Sequence, residues 1–147
     1  MRALTRSVGL LAATAGLIVA FASAAGATTC PTVQKLVFPS SFGTTSPCDG
    51  SFVATTGTAV VTTATDGQHT SVVFVDNETG DGYVFIEVLA NQFTSLASSY
   101  PGQGVGFWLN KNPAKDFRAS IASTVSVTSA NAPTGVSSLV TSASCGL

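Results

Sequence analysis

Over residues 117–128 side chains alternate with a period of two. Phe117, Ala119, Ile121, Val125 and Val127 fall on one side, and Arg118, Ser120, Thr124, Ser126 and Thr128 on the other. That is the repeat of a strand with one dry face and one wet face, because successive side chains leave a strand in opposite directions. It calls for neighbouring strands and a second apolar surface to bury against. The rest of the chain supplies them. Residues 33–38 form a short apolar run between Pro31 and Pro39 and read as a first or edge strand. Residues 52–63 are rich in Thr and Val, with Gly57 marking a bulge or bend. Residues 70–76 carry Val72, Val73, Phe74 and Val75. Residues 83–89 place Tyr83, Phe85, Glu87 and Leu89 on one face and Val84, Ile86 and Val88 on the other. Both faces are mostly apolar, which suits a central strand. Residues 105–110 put Phe107 and Trp108 on opposite faces, and residues 136–145 form the last strand.

The segments between these runs read as connections. Residues 39–50 are a loop, and residues 77–82 a turn that makes a hairpin of its flanking strands. Residues 90–99 hold Phe93 and Leu96 at helical spacing and fit a short helix or irregular crossing. Residues 100–104 read as a turn, and so does the Gly102, Gly104, Gly106 series. The expectation is a single all-β domain, an antiparallel β-barrel or β-sandwich of about seven or eight strands.

The compartment follows from the N-terminus. Arg2 and Arg6 precede an apolar stretch from Val8 to about Phe21, and small residues follow it. That order is the pattern of a cleaved signal peptide. Cleavage after Ala27 leaves residues 28–147 as a secreted β domain. The apolar stretch is shorter than a membrane span requires, and no second one follows. Thr29 and Ala27 fit a lipid-attachment site at Cys30 poorly. Without the leader four basic and seven acidic residues remain, a net charge of −3. No basic cluster survives to meet nucleic acid or an anionic membrane.

Three cysteines, Cys30, Cys48 and Cys145, allow three single pairings and always leave one thiol over. Whichever thiol is left over is buried, free or a link between two copies.

Ser46-Pro47-Cys48-Asp49-Gly50 stands before a strand running into Thr56-Gly57. His69 and a Gly-rich turn follow, then Asn91-Gln92-Phe93, then a last strand ending in Cys145. This order of short motifs resembles a family of small exported actinobacterial β proteins with no assigned activity. The resemblance spans residues 46–145. It implies a barrel or sandwich and a bond between Cys48 and Cys145, and it implies no catalytic residue. Cys30 lies outside the matched span and is the candidate for a homodimer link.

Motifs for chemistry are sparse. His69 is the single histidine, so a His-rich metal site is not available, and the sequence has no Gly-x-Ser-x-Gly hydrolase elbow. Asp76, Glu78, Asp81 and Glu87 make one acidic cluster. Its ends have calcium-loop spacing, but Gly80 and Asp81 stand where such a loop wants an acidic or amide residue and then glycine. A solvated hairpin turn explains the cluster better. Glu87 differs from the others because its strand face is apolar, where a carboxyl can serve as a general acid. The favoured reading is a non-catalytic secreted binding or cell-surface interaction module. It takes a small apolar ligand or a surface partner through Tyr83, Phe85, Glu87, Phe107 and Trp108, with no cofactor or metal. The rivals are a small hydrolase or isomerase using Glu87 and His69, and a structural protein that assembles through a strand edge or Cys30.

Overall fold

The computed structural model describes residues 30–147. The leader expected over residues 1–27 lies outside them. The described residues form one antiparallel sheet of seven strands: β1 (Thr32–Thr45), β2 (Phe52–Thr65), β3 (Thr70–Gly80), β4 (Tyr83–Phe93), β5 (Ser99–Asn110), β6 (Phe117–Val127) and β7 (Pro133–Cys145). Each strand pairs with its sequence neighbour, in the order β1 to β7. The sheet curls into a half-barrel, with its larger apolar side chains on the inside. The all-β expectation holds, and the expected last two strands and central β4 are where the alternation put them.

The strands are longer than the sequence suggested, because polar residues at inward positions hide the alternation. β1 runs through the expected loop to Thr45, pairing with β2 without a register slip. Gly57 is therefore no bulge; the register shifts lie in β6–β7 instead. β4 continues to Phe93 where a helix was expected, and β5 begins at Ser99. The hairpin between β3 and β4 turns on Asp81 and Gly82 alone. Both have positive φ, 48° and 81°, the geometry of a tight two-residue hairpin. The longer turn expected over residues 77–82 is mostly strand.

Two apolar clusters fill the inside. One gathers Ala59, Val61, Val72, Phe74, Leu89, Tyr100, Val125 and Val127. At its end the buried Asn131 folds in from the β6–β7 turn and accepts a hydrogen bond from the Tyr100 hydroxyl at 2.9 Å. The other holds Val53, Tyr83, Phe85, Trp108, Phe117, Ala119 and Ile121. Its rings stack in a run: Phe42 on Phe85 at 5.3 Å, Phe85 on Trp108 at 4.3 Å and Trp108 on Phe117 at 4.7 Å. Offset stacking of this kind adds to the burial energy of each ring.

The inward face of β5 reads Tyr100, Gly102, Gly104, Gly106, Trp108. These glycines are strand residues, not the expected turn. A Cβ on Gly106 would sit 2.6 Å from Ile121, 2.8 Å from Phe85 and 3.0 Å from Trp108. The missing side chain is the space those groups occupy.

A bond joins Cys48, between β1 and β2, to Cys145 at the end of β7, across 97 residues. It is the pairing that the family resemblance implied. Nearby, Lys115 donates to Asp49 at 3.0 Å. Cys30 is free and exposed.

Gly106→Ala is expected to lower stability by about 1–3 kcal/mol through overpacking. Gly135→Ala, with nothing within 4 Å of the new carbon, stays within about 0.5 kcal/mol of wild type. Urea denaturation of the two variants checks the contrast.

Candidate functional site

Between the two apolar clusters the inward face is polar. Asp76 and Glu78 on β3 and Glu87 on β4 all point inside and are buried. Asp76 and Glu87 stand opposite each other in the register. The acidic residues expected to form a solvated turn are therefore split. Asp81 alone serves the turn, accepting from the Ala54 N–H at 2.7 Å. The other three form a belt across the interior.

Hydroxyls from the other strands complete the belt. Ser40 on β1 reaches Asp76 at 2.5 Å and also touches Glu78. Thr55 on β2 donates to Glu78 at 2.5 Å. Ser123 on β6 donates to Glu87 at 2.9 Å and meets Ser138 on β7 at 2.8 Å. On β5 the residue at this level is Gly104. A Cβ there would lie 3.3 Å from the Glu87 carboxyl, so glycine makes room for it.

The belt has more acceptors than donors. Asp76 Oδ1 and Glu87 Oε2 are buried without a partner. Among the described residues Lys35, Lys111, Lys115 and Arg118 are all exposed and none reaches the belt. A carboxylate in such a place favours its neutral form, since burial removes the water that stabilises charge. Burial pushes Glu87 up to about 7; the Ser123 hydrogen bond opposes this, and the charges of Asp76 and Glu78 add to it. Burial likewise pushes Asp76 up to about 6, against the hydrogen bond from Ser40 and with the Glu78 charge adding. No group of three or more His, Cys, Asp or Glu among the described residues is arranged to hold a metal ion.

His69 sits in the β2–β3 turn beside Asp66, 3.2 Å away. Asp66 is held down to about 2, chiefly by the backbone N–H groups of His69 and Gln68 and by the His69 ring. Six residues of strand, Thr70 to Val75, separate His69 from Asp76, the residue opposite Glu87. That is roughly 20 Å along the sheet. Glu87 and His69 are not brought together. Of the five aromatic and acidic positions read as a binding set, Tyr83, Phe85, Glu87 and Trp108 share the packed interior. Phe107 lies on the opposite, outer face and is 38% exposed.

The outer face carries a pattern of its own. Val37, Val60, Val75, Val88 and Val105 are register partners in sequence, forming one row across β1 to β5. Val88 is 51% exposed, and Val84 and Phe107 flank the row, with Phe107 paired to Ile86. No charged side chain stands on the outward positions of β2 to β5. Thr58, Thr62, Asn77 and Gln103 border the valines instead.

Two clefts open on the outside. One of about 350 Å³ lies by Leu96, Val127 and Asn131, and one of about 440 Å³ by Val105, Arg118 and Ser142. Neither is lined by a belt residue.

Sequence reasoning missed Asp76 and Glu78 as interior groups. The signal was present: they continue the inward parity of Val72 and Phe74, and Asp81-Gly82 is the stronger hairpin turn. Comparison with family models, curated proteins and solved structures found no match.

The belt fixes how stability depends on pH. Glu87 and Asp76 bind a proton more tightly folded than unfolded. Their stabilisation is complete below the ordinary carboxyl range and is lost as pH rises through about 6 and 7. Chemical denaturation is expected to show lower stability at pH 8 than at pH 5, by about 3 kcal/mol for Glu87 alone. Glu87→Gln flattens that slope.

Proposed function

We propose that the protein is a non-catalytic binding module working outside the cell, and that it meets its partner through the outer face of β3 to β5. The observation that carries this reading is the in-register valine row on a face without charge. Scattered exposed apolar residues need no explanation, whereas a contiguous strip bordered by polar groups has the anatomy of a recognition surface.

The chemistry of that face selects the occupant. With no charge on the outward positions of β2 to β5, it offers nothing to nucleic acid or to anionic lipid. A membrane-inserted barrel carries its largest apolar side chains outward. This sheet turns Trp108, Phe85 and Phe117 inward, and threonine and amide side chains (Thr58, Thr62, Asn77, Gln103) share the outer face with its valines. The fitting partner is a protein with an uncharged apolar patch of its own. The strip is narrow, which suits a transient contact better than a permanent one.

Two features support the compartment. The Cys48–Cys145 bond fits an oxidising environment. No helix among the described residues is long and apolar enough to cross a membrane. The leader read over residues 1–27 supplies the export route. The packed interior and the separation of Glu87 from His69 weigh against a hydrolase.

A photo-crosslinking amino acid placed at Val88 tests the surface on intact producing cells. The expected adduct forms from Val88 and not from Thr124 on β6. Excess wild-type protein competes it away, and excess Val88→Asp protein does not. Equal adducts from both positions, or none, would overturn the assignment. An adduct of twice the chain's own mass would overturn it too, by making a second copy the occupant.

A further inference from the structure

The curled sheet ends in a seam. β1 and β7 are its two edges, and no backbone ladder joins them. What faces across the seam is a repeat of the interior in three levels. Phe38 and Val136 pack on one apolar cluster, Phe42 and Val140 on the other, and Ser40 and Ser138 lie between them at the belt. All six are only half-buried. Beyond its ladder with β2, β1 is held by Phe38 on the first cluster, by Phe42 on Phe85 and Trp108, by Ser40 on Asp76 and Glu78, and, three residues past its end, by the Cys48–Cys145 bond, which keeps that end of the seam closed.

The Ser40 contacts impose a proton count. Its hydroxyl has one hydrogen, yet two carboxyl oxygens lie within bonding distance, Asp76 Oδ2 and Glu78 Oε1. One hydrogen cannot serve both. A proton on Asp76 completes the set: Asp76 donates to Ser40, and Ser40 donates to Glu78. Thr55 then donates to the second Glu78 oxygen. Remove that proton and two carboxylates compete for one hydroxyl on an edge strand.

We propose that this proton is a latch: with it in place the Asp76–Ser40–Glu78 relay holds β1 against the interior, and its loss releases β1 and opens the seam.

The groups facing the relay give it nothing to fall back on. From β2 comes Thr55, from β4 Glu87, from β5 Gly104 and Gly106, from β6 Ser123 and from β7 Ser138. The only titratable ones are the three acids themselves. On the Glu87 face, Tyr83 lies beyond Phe85 with its hydroxyl unpartnered. Losing protons therefore gathers like charges with no cation to balance them, and water is the remaining solvent for them. The seam is the short way in, because Ser40 and Ser138 already stand half in water. The raised Asp76 and Glu87 place the release between about pH 6 and pH 7. Opening uncovers the inner sides of Phe38 and Phe42, an apolar slot absent from the closed form.

Trp108 is a built-in reporter. It is the sole tryptophan, it is fully buried, and Phe42 of β1 lies against it at 5.9 Å. Acrylamide quenching of its fluorescence in the full exported chain is expected to rise several-fold from pH 5 to pH 8, with far-UV circular dichroism unchanged. Asp76→Asn, whose amide still donates to Ser40, stays shielded at pH 8. Ser40→Ala loses the latch and is quenched at pH 5 nearly as well as wild type at pH 8. Equal shielding of the wild type at both pH values would overturn the proposal, as would opening of Asp76→Asn in step with wild type. Loss of the circular dichroism signal at the same midpoint would also overturn it, by making the change global unfolding. Re-closure at pH 8 on adding calcium chloride alone would give the belt to a metal, with the same consequence.

Discussion

Three carboxyl groups share the inside of one curled sheet with no basic side chain to answer them, and the neighbouring strands are built around that fact. Each gives the belt a hydroxyl or an empty place. Ser40, Thr55, Ser123 and Ser138 supply donors, and Gly104 supplies the volume that the Glu87 carboxyl enters. The apolar clusters above and below keep water off the belt and so keep its charge state costly. A belt of this kind is an expensive way to fill a core. Apolar residues of equal volume often stabilise a fold as well or better. Its presence is a reason to look for a task in the interior as well as on the surface.

Inner and outer faces are two readings of the same residues. On β3, Phe74, Asp76 and Glu78 point in while Val73, Val75 and Asn77 point out. Slipping the β3–β4 pairing by one residue would exchange the acids for the valine row. The tight Asp81-Gly82 turn forbids that slip, since a two-residue hairpin fixes its register. One turn therefore places both the buried acids and the exposed apolar strip. The half-barrel also guards its β1 edge. β1 carries Lys35 and Pro39 on its outward side, groups that discourage a second chain from adding a strand.

The sheet was legible where one face is apolar and the other is not. β6 was plain for that reason, and β4 because both of its faces are mostly apolar. Reading failed where an inward position is polar or lacks a side chain. At Asp76 and Glu78 the run of Asp, Asn, Glu, Thr and Gly has the composition of a turn, and only its parity ties it to Phe74. Gly102, Gly104 and Gly106 have the same defect: a glycine that makes room for a neighbour across the sheet looks locally like a glycine that bends the chain. Ser40 and Thr55 could not be singled out among so many hydroxyl residues, because what distinguishes them is the carboxyl they face. The valine row depends on four registers at once and has no local signature at all. The disulfide became legible through the resemblance of short motifs rather than through cysteine spacing.

The position of Cys145 sets an order of events for the growing chain. Synthesis delivers Cys30 and Cys48 first, eighteen residues apart. Cys145 arrives 97 residues after Cys48. For most of that interval Cys48 has one available partner, and it is the wrong one. Nearest-neighbour hairpins form early and need no distant contact, so the first six strands can assemble while Cys48 waits or pairs with Cys30. The native bond then requires either that Cys48 has been kept reduced or that a Cys30–Cys48 bond is exchanged by attack of the Cys145 thiolate, which returns Cys30 as the free thiol. By the exchange route, the exposed cysteine that the finished fold leaves unpaired is the leaving group of the final oxidation step.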